Sequence, residues 1–209
     1  MHRPKDHLLV LTRHGQSEGN LRNVFTGWRD LPLTEQGREQ AIAVGKHLRE
    51  RGVALDAAFS SALGRARDSC AHTLREMGLA AIPVRRDSAL NERDYGDLTG
   101  LDKNEARRRF GAEQVQTWRR SYAVAPPGGE SLRDTVARVL PFYIREILPA
   151  VLRHRGVLVV AHGNSLRALI LALEGLSPDE IARIELDTGE TRFYLLNDCA
   201  EIRSHGVWH

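Results

Sequence analysis

The stretch Val157-Leu-Val-Val-Ala-His-Gly-Asn-Ser-Leu-Arg167 places a histidine and a glycine directly after a run of apolar residues. The same arrangement occurs near the start of the chain, in Leu8-Leu-Val-Leu-Thr-Arg-His-Gly-Gln-Ser-Glu-Gly-Asn20. Short apolar runs are typical of buried parallel strands, and ligands of open α/β sheets bind beyond the carboxyl ends of such strands. The two segments therefore predict one composite site, in which His14 and His162 face the same ligand and each glycine lets backbone approach closely.

Strand-like and helix-like segments alternate along the chain, which predicts an α/β fold of three layers (αβα) with a mostly parallel central sheet. Strands are expected at residues 8–11, 57–60, 82–85, 157–161 and 192–196. Helices are expected at 34–51, 63–77, near 102–110, at 131–153, from 165 and from 177. Pro141 and Pro149 should bend or divide the helix at 131–153. The length of 209 residues favours a single domain over the whole chain, 1–209.

Residues 91–130 depart from this alternation. They combine Asn91-Glu-Arg-Asp-Tyr-Gly96, a short arginine-rich helix, Trp118-Arg-Arg120 and Ala125-Pro-Pro-Gly-Gly129. Long irregular connections in compact domains are usually functional or disordered. We therefore expect this segment to be an insertion that covers the site.

Composition excludes several classes of protein. The chain is 42% hydrophobic and 27% charged, and none of its apolar stretches approaches the ~20 residues that span a bilayer. The first six residues are charged and lack a following apolar segment of about 7–15 residues, so we expect no secretory signal. Cys70 and Cys199 lack metal-type spacing and favour a reducing cytoplasm, with a disulfide between them as the minor alternative. A cytoplasmic protein without a membrane partner is predicted.

The basic residues are almost all arginine: there are 27 arginines and three lysines, and the formal net charge is +3. One explanation is a GC-rich coding sequence. Another is that a few arginines bind phosphate or carboxylate with their planar guanidinium groups. An arginine-rich nucleic-acid-binding protein is a separate hypothesis, but the basic residues are spread along the chain, so no nucleic-acid partner is expected.

The residues around the two histidines suit chemistry on a phosphoryl group. Neutral imidazole is an available nucleophile near neutral pH. Donors for an anion flank the first histidine: Arg13, Ser17 and Asn20. Asn164 and the backbone amides that open the helix after His162 offer further donors. Arginine and histidine supply the positive charge that a phosphoryl dianion needs, so no metal is expected.

Transfer of a phosphoryl group between oxygens also needs a proton donor. Glu92 is the best candidate, because it lies in the irregular segment between the two histidines. To act as an acid near neutral pH, its pKa must be raised by burial or by nearby phosphate charge. The alternatives remain open that Glu92 is a solvated surface charge and that Ser17 and Asn20 are turn residues.

The segment Leu11-Thr-Arg-His-Gly-Gln-Ser-Glu-Gly-Asn20 resembles the signature of the histidine phosphatase superfamily. More narrowly, the chain resembles the 2,3-bisphosphoglycerate-dependent phosphoglycerate mutases from about Leu8 to Asn197. Five segments carry the narrower resemblance: Phe25-Thr-Gly-Trp28, Asn91-Glu-Arg-Asp-Tyr-Gly96, Gly100-Leu-Asp-Lys103, Trp118-Arg-Arg120 and Ala161-His-Gly-Asn-Ser-Leu-Arg167.

This resemblance implies that His14 becomes phosphorylated and that Glu92 is the general acid and base. It implies that the transferring phosphoryl group is held by Arg13, Arg65 and His162, with Asn20 and Gly163 beside it. The rest of the phosphoglycerate would be bound by Thr26, Gly27, Arg93, Tyr95, Lys103, Arg119, Arg120 and Asn164.

The implied reaction interconverts 3-phosphoglycerate and 2-phosphoglycerate in glycolysis and gluconeogenesis. Bisphosphoglycerate serves as the phosphoryl primer, no metal is used, and the protein is a homodimer or a higher even oligomer. The alternative is a phosphohistidine-dependent phosphatase acting on a small phosphomonoester.

Three features depart from the family pattern. Gln16 stands where glutamate is common, and Gly19 replaces a usual bulky residue. The stretch Pro126-Pro-Gly-Gly-Glu-Ser131 is short, and little sequence follows the last expected strand. A more open site would let water compete for the phosphohistidine, so phosphatase side activity is expected beside the mutase reaction.

Overall fold

The computed structural model describes residues 6–208; residues 1–5, on which the expectation about a secretory signal rests, lie outside them. The strands are β1 (His7–Arg13), β2 (Ala57–Ser61), β3 (Val84–Asp87), β4 (Gly156–Ala161), β5 (Thr191–Leu196) and β6 (Ile202–Trp208). The helices are α1 (Glu18–Leu21), α2 (Glu35–Glu50), α3 (Gly64–Glu76), α4 (Lys103–Phe110), α5 (Ala112–Arg120), α6 (Leu132–Phe142), α7 (Leu148–Arg153), α8 (Gly163–Glu174) and α9 (Pro178–Arg183).

All six strands form one sheet in the order β3-β2-β4-β1-β5-β6. The first four strands in this order are parallel, and β5 and β6 run antiparallel at one edge. The predicted mostly parallel sheet is therefore confirmed. β1 and β4 are direct neighbours, with Arg13 opposite Ala161, so the residues that follow these two strands meet at one edge of the sheet.

Successive strand residues point to opposite faces of the sheet, and each face has its own core. On one face, Leu9 and Val159 belong to a cluster that includes residues of α6 and α8. On the other, Val10 and Leu158 pack with residues of α2 and α3. These two apolar clusters confirm the three-layer arrangement.

The long helix expected at 131–153 is divided, as its prolines predict. A π-helical turn, Tyr143–Ile147, separates α6 from α7. Pro141 lies inside α6, and Pro149 occupies the first turn of α7. Proline lacks the backbone N–H of a regular helix, which accounts for a break between these two positions.

Several boundaries and elements differ from the predictions. β3 lies at 84–87 instead of 82–85, and α8 begins at Gly163 instead of Ser165, with His162 as its N-cap residue. The strand β6 was not predicted. It is an edge strand whose side chains are half-buried or exposed, so its sequence lacks the apolar pattern of the inner strands. The helix α5 was also not predicted.

The segment 91–130 is largely helical and has a small core of its own. Leu98, Ala106 of α4 and Val115 of α5 pack around Phe25, which lies between α1 and α2. The segment 91–130 thus forms a local core, and Phe25 joins this core to the stretch between α1 and α2.

Among residues 6–208, no helix is long and apolar enough to cross a bilayer. Cys70 and Cys199 are both free, so the disulfide alternative is wrong. Cys70 is buried on α3, and burial raises the pKa of its thiol to about 12.

Candidate active site

His14 is the residue directly after β1. Its backbone N–H donates to the carbonyl of Ala161 on β4 (3.0 Å), and its Nδ1 donates to the carbonyl of Gly15 (2.6 Å). Because a carbonyl oxygen only accepts, Nδ1 carries the proton and the lone pair lies on Nε2. Burial holds the pKa of His14 well below its ordinary value, and the charges of Arg65 and Arg13 lower it further. His14 is therefore a neutral imidazole with a lone pair available for nucleophilic attack.

His162 follows β4 and faces His14, which confirms the predicted meeting of the two strand ends. The ring centroids are 4.8 Å apart, with an angle of 62° between the ring planes. Nε2 lies 2.8 Å from Ser61 Oγ, while Nδ1 is buried and has no hydrogen-bond partner within residues 6–208. Burial lowers the pKa of His162 well below its ordinary value, and the charges of Arg65 and Arg13 lower it further.

The two glycines beside the histidines have different roles. A Cβ at Gly15 would lie 2.0 Å from the carbonyl oxygen of Gly37 on α2, so only glycine permits this close backbone approach. A Cβ at Gly163 would meet nothing nearer than Glu92 Oε2, at 3.9 Å. Gly163 lines the cavity and, within residues 6–208, has no other backbone segment against it. The expectation that glycine lets another backbone segment approach closely is therefore confirmed for Gly15 alone.

Two arginines bring positive charge to the histidines. Arg65, on the first turn of α3, is 1% exposed and donates to the carbonyls of Gly27 (2.9 Å) and Arg29 (3.1 Å). Arg13 donates through one terminal nitrogen to the carbonyl of Leu186, and its buried Nε has no partner among the described residues. Buried donors are normally paired. Because Arg13 lines the cavity, its unpaired Nε–H favours a bound anion there.

Glu92 lies across the cavity and is buried, so the alternative of a solvated surface charge is wrong. Its Oε1 accepts hydrogen bonds from the backbone of Arg93 (2.8 Å) and from the side chain of Asn164 (2.9 Å). Burial raises its pKa, but these hydrogen bonds and the charges of Arg65 and Arg13 outweigh burial, and the pKa lies below its ordinary value. Glu92 is therefore a carboxylate, and burial alone does not make it an acid.

A second group of cations lines the mouth of the cavity. Lys103 lies on the first turn of α4, and Arg119 and Arg120 lie on the last turn of α5. All three side chains are half-buried. Burial lowers the pKa of Lys103, and the charge of Arg119 lowers it further. The segment 91–130 thus brings three cations to a cavity that is also lined by Arg13 and Gly163, the sequence neighbours of the two histidines.

Ten of the sequence-predicted residues line this cavity: Arg13, Asn20, Thr26, Glu92, Tyr95, Lys103, Arg119, Arg120, Gly163 and Asn164. The donors that were expected from Asn164 are already in use, since its backbone and side-chain nitrogens both donate to Glu92 Oε1.

Six other predicted residues are not among those that line the cavity: His14, Ser17, Gly27, Arg65, Arg93 and His162. Ser17 is the N-cap of α1 and donates to Asn20 Oδ1 (2.9 Å), so the turn-residue alternative describes it better than anion binding. Gly27 gives its carbonyl to Arg65. Arg93 is fully buried, donates to the carbonyl of Arg119 (2.9 Å) and lies over the ring of Tyr95.

The sequence analysis missed two charged residues of the cavity, Arg167 and Glu185. Arg167 donates to Asn164 Oδ1 (3.2 Å), which turns the amide nitrogen of Asn164 towards Glu92. Burial lowers the pKa of Arg167 to about 10, helped by the charge of Arg120. The carboxylate of Glu185 pairs with Arg120 and Arg167. The spacing of Asn164 and Arg167 on one helix face was a usable signal, whereas Glu185 lies in a loop before β5.

The departures from the family pattern have local consequences. A Cβ at Gly19 would lie 2.1 Å from the Thr26 methyl carbon, so its small size lets Thr26 lie close to α1. Within residues 6–208, no group of three or more His, Cys, Asp or Glu side chains is placed to hold a metal ion.

Comparison with known proteins agrees with this geometry. Residues 9–200 match the family model described as the histidine phosphatase superfamily (branch 1). The chain belongs to the histidine phosphatase superfamily.

Relatives within the superfamily narrow the assignment. A protein of Mesorhizobium japonicum, 57% identical over 95% of this chain and 97% of its own length, is named 2,3-bisphosphoglycerate-dependent phosphoglycerate mutase. A protein of Brucella melitensis with the same name is 58% identical over the same shares. These relatives place the chain in the family of 2,3-bisphosphoglycerate-dependent phosphoglycerate mutases.

The fold is also shared with phosphatases. The native structure of a mycobacterial glucosyl-3-phosphoglycerate phosphatase aligns with a TM-score of 0.81 and 30% sequence identity, over 98% of this chain and 99% of that one. The fold alone therefore does not separate phosphoryl transfer to a sugar acid from transfer to water.

Proposed function

We propose that this protein interconverts 3-phosphoglycerate and 2-phosphoglycerate through a phosphohistidine at His14, with 2,3-bisphosphoglycerate as primer. The observation that carries the proposal is the pairing of a neutral His14 with a separate cationic mouth, in a chain whose relatives bear the mutase name. A phosphoglycerate has a phosphate at one end and a carboxylate at the other, and the cavity offers positive charge at both.

Priming uses the lone pair on His14 Nε2. Attack on phosphorus forms an N–P bond and breaks the O–P bond of the bisphosphate, whose leaving oxygen takes a proton. In the next step a hydroxyl oxygen of 3-phosphoglycerate bonds to phosphorus, the N–P bond breaks, and the electron pair returns to Nε2. The bisphosphate then turns over in the site and returns its other phosphoryl group to His14, leaving 2-phosphoglycerate.

Glu92 handles the proton at each step. As a carboxylate it accepts the proton of the attacking hydroxyl, and in the reverse direction it returns that proton to the leaving oxygen. The phosphoryl dianion offsets the charges of Arg13 and Arg65, which hold the pKa of Glu92 down in the empty site. The sequence analysis named two ways to raise the pKa of Glu92, burial and nearby phosphate charge. In this proposal the phosphate charge is the one that makes Glu92 an acid.

Arg65, Arg13 and His162 stabilise the equatorial oxygens of the transferring group. Lys103, Arg119 and Arg120 bind the carboxylate or the second phosphate, to which a guanidinium fork is well matched.

A phosphatase reaction on a small phosphomonoester is the second candidate. It is favoured by the structural likeness to the mycobacterial phosphatase. The short segment 126–131, which we expect to leave the site more open, also favours it. In that reaction water replaces the sugar-acid hydroxyl as the acceptor from phospho-His14, and Glu92 takes its proton.

We further propose a cytoplasmic homo-oligomer, a dimer or higher, that partners neither nucleic acid nor membrane and needs no metal. A phosphoglycerate substrate, which the relatives' names imply, supports the cytoplasmic location.

The test is conversion of 3-phosphoglycerate to 2-phosphoglycerate by the purified protein, with and without added 2,3-bisphosphoglycerate. We expect isomerisation that depends on the primer and only slow release of phosphate. Phosphate release without isomerisation would overturn the mutase proposal in favour of the phosphatase.

A further inference from the structure

Ser61, the last residue of β2, lies between the side chains of His162 and Asn91 and is hydrogen-bonded to both. Its Oγ lies 2.8 Å from His162 Nε2 and donates to Asn91 Oδ1, also at 2.8 Å. Asn91 Oδ1 accepts a further hydrogen bond from the backbone N–H of Ala62 (3.1 Å). All three side chains in this chain of contacts are buried, with exposures of 0% for Ser61 and His162 and 5% for Asn91.

The direction of each hydrogen bond follows from its partners. The amide oxygen of Asn91 only accepts, so the single hydroxyl hydrogen of Ser61 is directed at it. Ser61 Oγ must then accept from His162, which places the hydrogen of the neutral imidazole on Nε2. The lone pair is left on Nδ1, the nitrogen with no partner among the described residues.

We propose that Ser61, held by Asn91, is a positioning residue that fixes the tautomer of His162 so that Nδ1 faces the phosphoryl group. Arrival of a phosphoryl dianion favours the imidazolium, because its charge opposes the burial and the arginines that keep His162 neutral. With Nε2–H already bound to Ser61, the proton taken up from solvent resides on Nδ1, and this N–H donates a hydrogen bond to a phosphoryl oxygen. Without Ser61 the neutral ring is free to adopt either tautomer.

The contribution of His162 to phosphoryl transfer rests on the proposed function, but its tautomer in the empty protein does not. The first measurement is therefore the imidazole ¹⁵N NMR spectrum of the unliganded protein, with the His162 signals assigned by their loss in His162→Gln. We expect a protonated Nε2 and an unprotonated Nδ1. The opposite tautomer in the wild-type protein would overturn the proposal, whether or not the protein is a mutase.

The second measurement compares Ser61→Ala with Ser60→Ala. Ser60 is the neighbouring buried serine on β2, but its hydroxyl donates to the carbonyl of Ser61 and does not reach His162. We expect Ser61→Ala to lower kcat about 10- to 100-fold, the effect of one lost buried hydrogen bond, with KM nearly unchanged. Ser60→Ala should keep kcat within about twofold of wild type, the usual scatter for a group outside the reaction.

A mixture of His162 tautomers in Ser61→Ala, with the wild-type tautomer in Ser60→Ala, would support the proposal. Ser61→Thr keeps a hydroxyl at the same position and should restore the Nε2-protonated form. Equal losses of kcat in Ser61→Ala and Ser60→Ala, or a Ser61→Ala protein with the wild-type tautomer and rate, would contradict it.

Discussion

Two groups of residues in the site are held in different ways. The first, the floor, is formed by His14, His162 and Arg65, which are buried and are not among the residues that line the cavity. The second, the mouth, is formed by Lys103, Arg119 and Arg120, which do line it. The floor residues are at most 2% exposed, and strand ends and buried hydrogen bonds fix them. The mouth residues are half-buried and come from two short helices with a small core of their own. In the proposed function, the floor carries chemistry that suits any phosphomonoester, whereas the mouth binds the rest of the phosphoglycerate.

The largest effect is expected at the floor. His14→Ala should lower activity by at least about 10⁴-fold and abolish acid-labile phosphate labelling from bisphosphoglycerate, because the phosphoryl carrier is gone. Both losses should occur with an unchanged unfolding midpoint. Labelling that persists in this variant would refute His14 as the carrier.

Glu92→Gln tests the proton transfer. Gln keeps the size of the side chain but can neither accept nor return the proton, so kcat should fall about 10²- to 10⁴-fold. Because the pKa of Glu92 is lowered, its carboxylate form persists below the ordinary glutamate range near pH ~4.3 and is lost only as the pH falls further. The acid limb of kcat/KM should lie below that range in the wild type and be missing in the variant; an unchanged limb would assign it to another group.

Charge reversal at the mouth separates recognition from chemistry. Arg119→Glu or Arg120→Glu should raise the KM for 3-phosphoglycerate about 10- to 100-fold, since each removes a charge-assisted contact of the substrate. Hydrolysis of p-nitrophenyl phosphate, which lacks the carboxylate, should change much less. If both substrates suffer equally, these arginines support the structure instead.

A smaller effect on substrate recognition is expected from a change at Glu185. Its carboxylate pairs with Arg120 and Arg167, where it competes with an anionic group of the substrate for the same guanidinium groups. Glu185→Gln should therefore lower the KM for 3-phosphoglycerate about two- to fivefold, the scale of a solvent-exposed ion pair. A higher KM would mean that Glu185 orients Arg120 for binding.

The smallest effect is expected from chelators of metal ions. EDTA should leave the rate unchanged, because arginines and histidines supply the charge that other phosphoryl-transfer enzymes take from metal ions. Strong inhibition that a divalent cation reverses would argue for metal-dependent chemistry.

Local sequence patterns indicated His14 and His162, whereas Arg65, Lys103, Arg119 and Arg120 were assigned to the site only through the family resemblance. Apolar runs before His14 and His162 indicate neighbouring parallel strands, and strand pairing then fixes where both rings lie. The tautomers and the ionised state of Glu92 depend on partners distant in sequence, such as Ser61 and Asn164, which no local pattern reveals. The edge strand β6 and the helix α5 were missed, because half-exposed elements carry weak apolar periodicity.

The direct test of the central claim is the fate of a single labelled phosphoryl group. His14 is first phosphorylated with ³²P-labelled 2,3-bisphosphoglycerate, and the isolated phosphoprotein is then mixed rapidly with unlabelled 3-phosphoglycerate. We predict that the label appears in bisphosphoglycerate and 2-phosphoglycerate faster than in inorganic phosphate. Release of the label as inorganic phosphate alone, at a rate independent of 3-phosphoglycerate, would contradict the account.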